Sequence, residues 1–96
     1  MAYYFSAQIK IHDNEEYERY LENFDAIFSG HKGEILAVDE APTLLEGDWK
    51  YTKSVLMKFK TREDFEDWYF SKDYQQILKY RLNAAKCDTI LIKGYE

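Results

Sequence analysis

Residues Tyr3–His12 have the sequence YYFSAQIKIH, in which the side chains alternate between two faces. A period of two is typical of a β-strand. One face is entirely apolar and consists of Tyr3, Phe5, Ala7, Ile9 and Ile11. The other face is mixed and consists of Tyr4, Ser6, Gln8, Lys10 and His12. The apolar face is therefore expected to pack on a core, and the mixed face to meet water, a ligand or another subunit.

Helical periodicity begins immediately after this strand. Asp13 and Glu16 have the spacing of a capping box, in which a side chain at the helix start accepts a backbone hydrogen bond. The apolar residues that follow form one helical stripe: Tyr17, Tyr20, Leu21, Phe24, Ile27 and Phe28. Gly30 is predicted to end the helix, because the residue after a helix often adopts a positive φ.

Three β-forming runs occupy the middle of the chain. We predict strands at Gly33–Asp39, Thr43–Glu46 and Lys53–Lys60. Gly47 and Asp48 are predicted to lie in a turn or loop between the second and third of these runs.

The last third of the chain predicts two helices and a final strand. Thr61 and Ser71 each have the side chain of an N-cap and precede the two helices. The side chains predicted to face inward from this part of the chain are Phe65, Trp68, Tyr69, Tyr74, Ile77, Leu78 and Ala85. Thr89–Lys93 is strongly β-forming. The order of elements is an elaborated βαββαβ, which predicts a ferredoxin-like α+β fold with an antiparallel sheet and helices on one face.

Composition and charge exclude several classes of protein. The chain has 96 residues, of which 46% are hydrophobic, and this length suits a single domain over residues 1–96. Its 13 basic residues are interleaved with 18 acidic ones, and the net charge of −5 argues against nucleic acid and anionic membranes as partners. The single Cys87 excludes an internal disulfide and a cysteine-based zinc site. Because no signal peptide is recognisable, we expect a cytoplasmic protein.

Two layers of structure leave one face of the predicted sheet without helices. Further apolar residues are expected to join this face in part: Leu36, Val38, Leu56, Ile90 and Ile92. An apolar surface of several strands is too large to remain bare on a monomer. We therefore expect a homodimer packed sheet to sheet, with a pocket near Tyr4 and Gln8. The alternative is that some of these residues lie under loops.

Four stretches of the sequence carry a resemblance to a known family. They are Tyr17–Tyr20, Gly33–Ala37, Leu45–Trp49, and Trp68–Tyr74 with Arg81 seven residues later. The chain resembles domain-of-unknown-function family 1330 of the dimeric α/β-barrel superfamily along nearly its whole length. The resemblance implies a ferredoxin-like protomer that dimerises through its sheet. It implies no reaction, since relatives in the superfamily include cofactor-free monooxygenases, lactone isomerases and haem-binding or haem-degrading enzymes.

Arg81 is the most informative candidate for a binding site. It lies on nearly the same helix face as Tyr74, near Ile77 and Leu78. A guanidinium on a packed face needs an anionic partner or an outlet to solvent. Arg81 therefore binds a ligand carboxylate, pairs with a structural Asp or Glu, or reaches the surface. We favour the structural readings, since buried arginines are commonly paired within the protein.

Two of the other candidates could carry a nucleophilic or proton-transfer role. Ser71 has no His or Lys partner at a recognisable spacing, so N-capping accounts for it as well as ligand binding does. Tyr74 suits a proton donor at a pocket edge, or a core aromatic. His12 and His31 are candidate general bases, haem ligands by analogy with the superfamily, or surface residues.

Aromatic residues and one amide complete the predicted site. Trp49 and Tyr69 suit the wall of a flat apolar pocket, although Tyr69 also suits helix packing and Trp49 a dimer contact. Gln8 suits a hydrogen-bonding role in the same pocket. The densest basic stretch, from Lys50 to Lys60, has the spacing of solvated strand positions.

No phosphate-binding loop, carboxylate pair or zinc motif is recognisable, so we expect no metal and no cofactor. The sequence thus predicts a homodimer that binds a small organic molecule, anionic or aromatic, with oxygenase- or isomerase-like turnover left open. The alternative is a non-catalytic structural or regulatory dimer.

Overall fold

The computed structural model describes residues 1–95. Its helices and strands are β1 (Tyr3–Ile11), α1 (Asn14–Phe28), β2 (Gly33–Asp39), β3 (Lys53–Phe59), α2 (Arg62–Tyr69), α3 (Lys72–Ala84) and β4 (Ala85–Lys93). The strands form an antiparallel sheet in the order β2-β3-β1-β4. The predicted ferredoxin-like α+β fold is confirmed. Within the described residues, no helix is both long enough and apolar enough to cross a membrane.

The alternation along β1 decides which face of the sheet the helices cover. Phe5, Ala7 and Ile9 are buried beneath the helices, as predicted. Residues paired across neighbouring strands share a face, so Met57 opposite Phe5 and Val55 opposite Ala7 extend the buried face. We call this the covered face, and the opposite surface of the sheet the open face.

Trp68 lies at the centre of the core and is fully buried. Its ring centroid is 4.3 Å from that of Tyr74, 5.4 Å from that of Phe28 and 5.6 Å from that of Phe59. Because these rings come from α1, α3 and β3, one side chain of α2 joins the other helices to the sheet.

The predicted helix starts are confirmed by their capping hydrogen bonds. The side chain of Asp13 accepts from the Glu16 backbone amide at 3.1 Å, and that of Thr61 accepts from the Asp64 amide at 3.0 Å. Ser71 Oγ accepts from the Tyr74 amide at 3.2 Å and donates to the Trp68 carbonyl at 2.7 Å. Ser71 therefore caps α3 and also fixes it to the end of α2.

One predicted helix end is right in position but not in conformation, and one predicted strand is wrong. α1 ends at Phe28 with Ser29 as its C-cap, so Gly30 follows the helix as predicted, but Gly30 does not adopt a positive φ, because ordinary turn hydrogen bonds close this end. Thr43–Glu46 is not a strand but part of the loop between β2 and β3. This run has no strand beside it to complete a ladder, and within residues 1–95 the one positive φ falls at Gly47 (90°) in the same loop.

β4 begins at Ala85, earlier than the predicted start at Thr89. Its pairing with β1 extends as far as Ile11 opposite Ala85. The backbone amides of His12 and Asp13 then both donate to the carbonyl of Ala84, at 2.9 and 3.1 Å. α3 therefore passes directly into β4 without a loop.

A β-bulge interrupts β2 at Leu36. Ile35 pairs with Met57, but the next pairs are Ala37 with Leu56 and Val38 with Val55. The extra residue reverses the alternation, so Val38 lies on the covered face with Val55. The expectation that Val38 joins the open face is therefore wrong.

The open face carries apolar side chains from the remaining strands, as expected. Ile90 and Leu56 lie opposite Ser6, and Ile92 lies opposite Tyr4. Ile90 is 59% exposed and Ile92 is 45% exposed. A patch of this kind across adjacent strands is typical of an interaction surface.

Candidate functional site

A cavity of about 170 Å³ lies between α1 and the covered face of the sheet. Its floor includes Ala7, Ile9 and Val55, and its roof includes Tyr17, Tyr20 and Phe24. Leu21, Ile35 and Val38 also line it and are exposed, so the mouth opens beside the edge strand β2. The walls are mainly apolar, which is typical of a site for a small organic molecule.

Arg81 projects from α3 into this cavity and is only 2% exposed. Its guanidinium carbon lies 5.7 Å from the ring centroid of Tyr20. Its Nη1 atom is buried and has no hydrogen-bond partner within residues 1–95. The ion pairs found among these residues are Arg19–Glu16 and Arg62–Glu66, both at the surface. Among residues 1–95, Arg81 therefore meets neither of the two structural partners favoured from the sequence, a protein carboxylate or a surface outlet.

Two phenols beside Arg81 form a buried hydrogen bond. The hydroxyl oxygens of Tyr20 and Tyr74 lie 2.7 Å apart. Burial, more than any neighbouring charge, raises the pKa of both phenols. Burial also raises the pKa of Tyr17 to about 12. At neutral pH these groups are uncharged, so they do not neutralise Arg81.

Arg81 itself remains charged. Burial acts to lower its pKa, but at high pH, where Tyr74 and Tyr20 ionise, their negative charge outweighs burial, and the pKa of Arg81 is raised. A guanidinium is in any case effectively always protonated in proteins. The end of the cavity formed by α3 is therefore permanently cationic.

Lys53 is a second cationic residue that lines the cavity, and sequence reasoning missed it. Its side chain is 8% exposed, and its Nζ lies 4.9 Å from the ring centroid of Tyr17. Burial lowers the pKa of Lys53, and the opposing charge of Glu40 only partly offsets this. The sequence spacing could have predicted this position, because Lys53 alternates in phase with Val55, Met57 and Phe59 and so belongs to the covered face.

Charge and shape together favour an organic anion in this cavity. Arg81 and Lys53 both line it, and the one acidic residue among its walls, Asp25, is exposed. Within residues 1–95, no group of three or more His, Cys, Asp or Glu side chains is placed to hold a metal ion.

The two β1 residues predicted to line a pocket do not line this cavity. Tyr4 and Gln8 are on the open face, away from the cavity under α1. Gln8 Nε2 donates to Ser6 Oγ at 2.9 Å, and Gln8 Oε1 accepts from Ser54 Oγ at 2.8 Å. Their roles as ligand contacts remain predictions for the open face.

Trp49 belongs to the loop between β2 and β3 and is 37% exposed. Its ring meets that of Tyr51 edge-on, with centroids 5.0 Å apart. The Tyr51 hydroxyl donates to the carboxylate of Asp88, which lies opposite Gln8 on β4. Trp49 therefore stands near the end of the open face rather than at the mouth of the cavity.

The other predicted residues are not brought together with Arg81, except Tyr74. His12 is exposed just beyond the end of β1. Tyr69 is half-buried, with its ring centroid 5.4 Å from that of Phe65. Neither Tyr69 nor Ser71 lines the cavity. Tyr74 does not line the cavity itself, but its hydroxyl forms a hydrogen bond with that of Tyr20, which does.

The fold is shared with proteins of known structure. A protein of unknown function from Rhodopseudomonas palustris is 14% identical, with a TM-score of 0.81 over 99% of this chain and 83% of that one. The cofactor-independent oxygenase SnoaB from Streptomyces nogalater is 12% identical, with a TM-score of 0.70 over 99% and 94%. A dimeric ferredoxin-like protein of unknown function from Jannaschia sp. CCS1 is 10% identical, with a TM-score of 0.70 over 98% and 100%. These identities show a common fold alone.

Sequence comparison gives the family. No protein of curated function is significantly similar to this chain. The family described as Domain of unknown function (DUF1330) matches residues 2–95. Because the match covers almost the whole chain, the protein belongs to the DUF1330 family.

Proposed function

We propose that the protein binds a small organic acid in the cavity under α1, with the ligand carboxylate on Arg81. The observation that supports this is the guanidinium of Arg81, which is buried in an apolar cavity with Nη1 unpartnered among the described residues. Burying a charge without a partner of opposite charge costs about 3–5 kcal/mol. A carboxylate ligand would offset this cost through charge-assisted hydrogen bonds.

The dimensions of the cavity limit the ligand to a small molecule. Its volume is about 170 Å³, and it is lined largely by aliphatic and aromatic side chains. A cavity of roughly 150 Å³ in another protein accommodates benzene. The proposed ligand therefore has an apolar body of about one ring and one carboxylate.

Titration calorimetry with benzoate tests this proposal, with benzamide as the neutral control of equal shape. We expect benzoate to bind and to raise the melting temperature, because a ligand at 100 times its Kd stabilises the folded state by about 2.7 kcal/mol. Benzamide should bind at least about tenfold more weakly, since it lacks the charge that Arg81 needs. Equal affinity for both compounds, or no binding of either and of phenylacetate, contradicts the proposal and favours a non-catalytic structural or regulatory module.

The open face supports a second part of the proposal, that the protein is a homodimer packed sheet to sheet. Ile90 and Ile92 are exposed there, beside the half-buried Tyr4 and Leu56. The structural neighbour from Jannaschia is described as dimeric, as are others that share the fold. Burying such a face removes a large apolar area from water.

Replacing Ile90 with lysine should convert the dimer to a monomer. The lysine charge would have to be buried at the proposed interface without a partner, which is unfavourable by about 3–5 kcal/mol. Light scattering at low micromolar concentration measures the outcome. Leu82→Lys is the matched control, because Leu82 is also 59% exposed but lies on α3. A monomeric unmodified protein, or equal effects of the two variants, would refute the sheet-to-sheet dimer.

A further inference from the structure

We propose that the Lys53 amine forms a Schiff base with the carbonyl group of a small oxo acid whose carboxylate lies on Arg81. This inference rests on the proposed function and adds to it a substrate class and a nucleophile. It follows from the placement of two different nitrogen groups in one largely apolar cavity.

The two groups lie on neighbouring aromatic rings. Lys53 Nζ is 4.9 Å from the ring centroid of Tyr17, and the Arg81 guanidinium is 5.7 Å from that of Tyr20. The two ring centroids are 5.6 Å apart on adjacent turns of α1. A ligand whose carboxylate binds Arg81 therefore lies along the rings of Tyr20 and Tyr17, and the Lys53 amine lies over the second of these rings.

The chemistry of the two groups divides their roles. Arg81 cannot lose its proton, so it suits a fixed partner for a carboxylate. Lys53 can lose its proton, and a lysine becomes nucleophilic when it is desolvated in a hydrophobic pocket. Among residues 1–95, Lys53 takes part in no ion pair within 4.0 Å. Its pKa is lowered, mainly by burial, which increases the fraction of free amine at neutral pH.

The reaction balances without an oxidant or a reductant. The free amine nitrogen attacks the carbonyl carbon, and a nitrogen–carbon bond forms. The carbon–oxygen bond then breaks, and the oxygen leaves as water with both hydrogens of the amine. The product is an imine between Lys53 and the oxo acid, with the carboxylate unchanged on Arg81.

Borohydride trapping followed by peptide mass spectrometry tests the proposal on the unmodified protein. Pyruvate and phenylpyruvate serve as probes, and acetone serves as a carbonyl compound without a carboxylate. We expect adducts on Lys53 to exceed those on the exposed Lys10 and Lys60 severalfold, because only Lys53 shares the cavity with the Arg81 guanidinium that holds the carboxylate. Acetone should label Lys53 no more than it labels those exposed lysines. Labelling by pyruvate spread evenly over all lysines would overturn the proposal.

Two variants separate this inference from the proposed function. Lys53→Arg should lose the adduct, and Lys60→Arg, an exposed position outside the cavity, should keep both the adduct and benzoate binding. Binding of benzoate with no adduct on Lys53 would overturn the Schiff base alone and leave the organic-acid site intact. Absence of both would overturn the two proposals together. If Lys53→Arg does not fold, as judged by circular dichroism, the peptide map of the unmodified protein still decides the outcome.

Discussion

Arg81→Met is expected to make the protein more stable and, at the same time, to weaken benzoate binding about 100-fold. The gain in stability arises because an apolar side chain replaces a charge that is 2% exposed and has no carboxylate partner among the described residues. Replacement of buried ion pairs by apolar residues of similar volume is neutral in some proteins and stabilises others by about 1–4 kcal/mol. The loss of affinity arises because a ligand carboxylate would then be buried without its counter-charge.

Urea unfolding and titration calorimetry measure the two effects of this substitution. Arg62→Met is the control, since Arg62 forms an exposed ion pair with Glu66 at 3.3 Å. Exposed pairs contribute about 0–1 kcal/mol, so this control should change neither stability nor binding appreciably. A loss of several kcal/mol in Arg81→Met would instead assign Arg81 a structural role. Stabilisation with unchanged benzoate affinity would place the carboxylate elsewhere.

Trp68→Ala is expected to lower the free energy of unfolding by about 3–5 kcal/mol, the usual cost of removing a large aromatic side chain from a core. Trp68 is fully buried at the point where rings from α1, α3 and β3 meet. Its loss therefore leaves a cavity that neighbouring elements cannot fill by a local shift. Small domains have only about 5–15 kcal/mol of total stability, so this variant should be marginally folded.

Chemical unfolding monitored by far-ultraviolet circular dichroism measures the cost at Trp68. Trp49→Ala serves as a comparison within the same chain, because Trp49 is 37% exposed and belongs to a loop. Its replacement should cost about 1 kcal/mol or less. Trp68→Phe should be milder than Trp68→Ala, since the indole nitrogen has no hydrogen-bond partner within residues 1–95. Similar losses at the two tryptophan positions would contradict the central place of Trp68 in the core.

The architecture was predictable because local signals agreed with the final packing. Alternation along β1 identified the covered face, and the side chains of Asp13, Thr61 and Ser71 located the helix starts. Those signals depend only on near neighbours in the sequence. Thr43–Glu46 was mispredicted because a strand also needs a partner, and partners are set by the whole fold.

The candidate site was only partly predictable, for a related reason. Helical spacing indicated that Arg81 lies on a packed face, but not whether a carboxylate from elsewhere in the chain meets it. The spacing of the basic residues predicts that Lys53 is solvated, although its alternation in phase with Val55 places it on the covered face. The mixed strand face predicts a pocket at Tyr4 and Gln8, yet the cavity lies on the opposite side of the sheet. A cavity forms where side chains from several elements leave space between them, so the sequence of one segment does not predict it.

The bulge at Leu36 determines which residues of β2 face the cavity. Beyond this residue, Val38 faces the cavity, whereas without the extra residue it would face the other side of the sheet. Regular pairing without the bulge would turn Val38 to the open face and Ala37 to the cavity side, while Ile35 and the other strands keep their places. A single-codon insertion or deletion in this edge strand is thus a route by which homologous proteins can change the lining of the cavity and the surface of the open face in one evolutionary step.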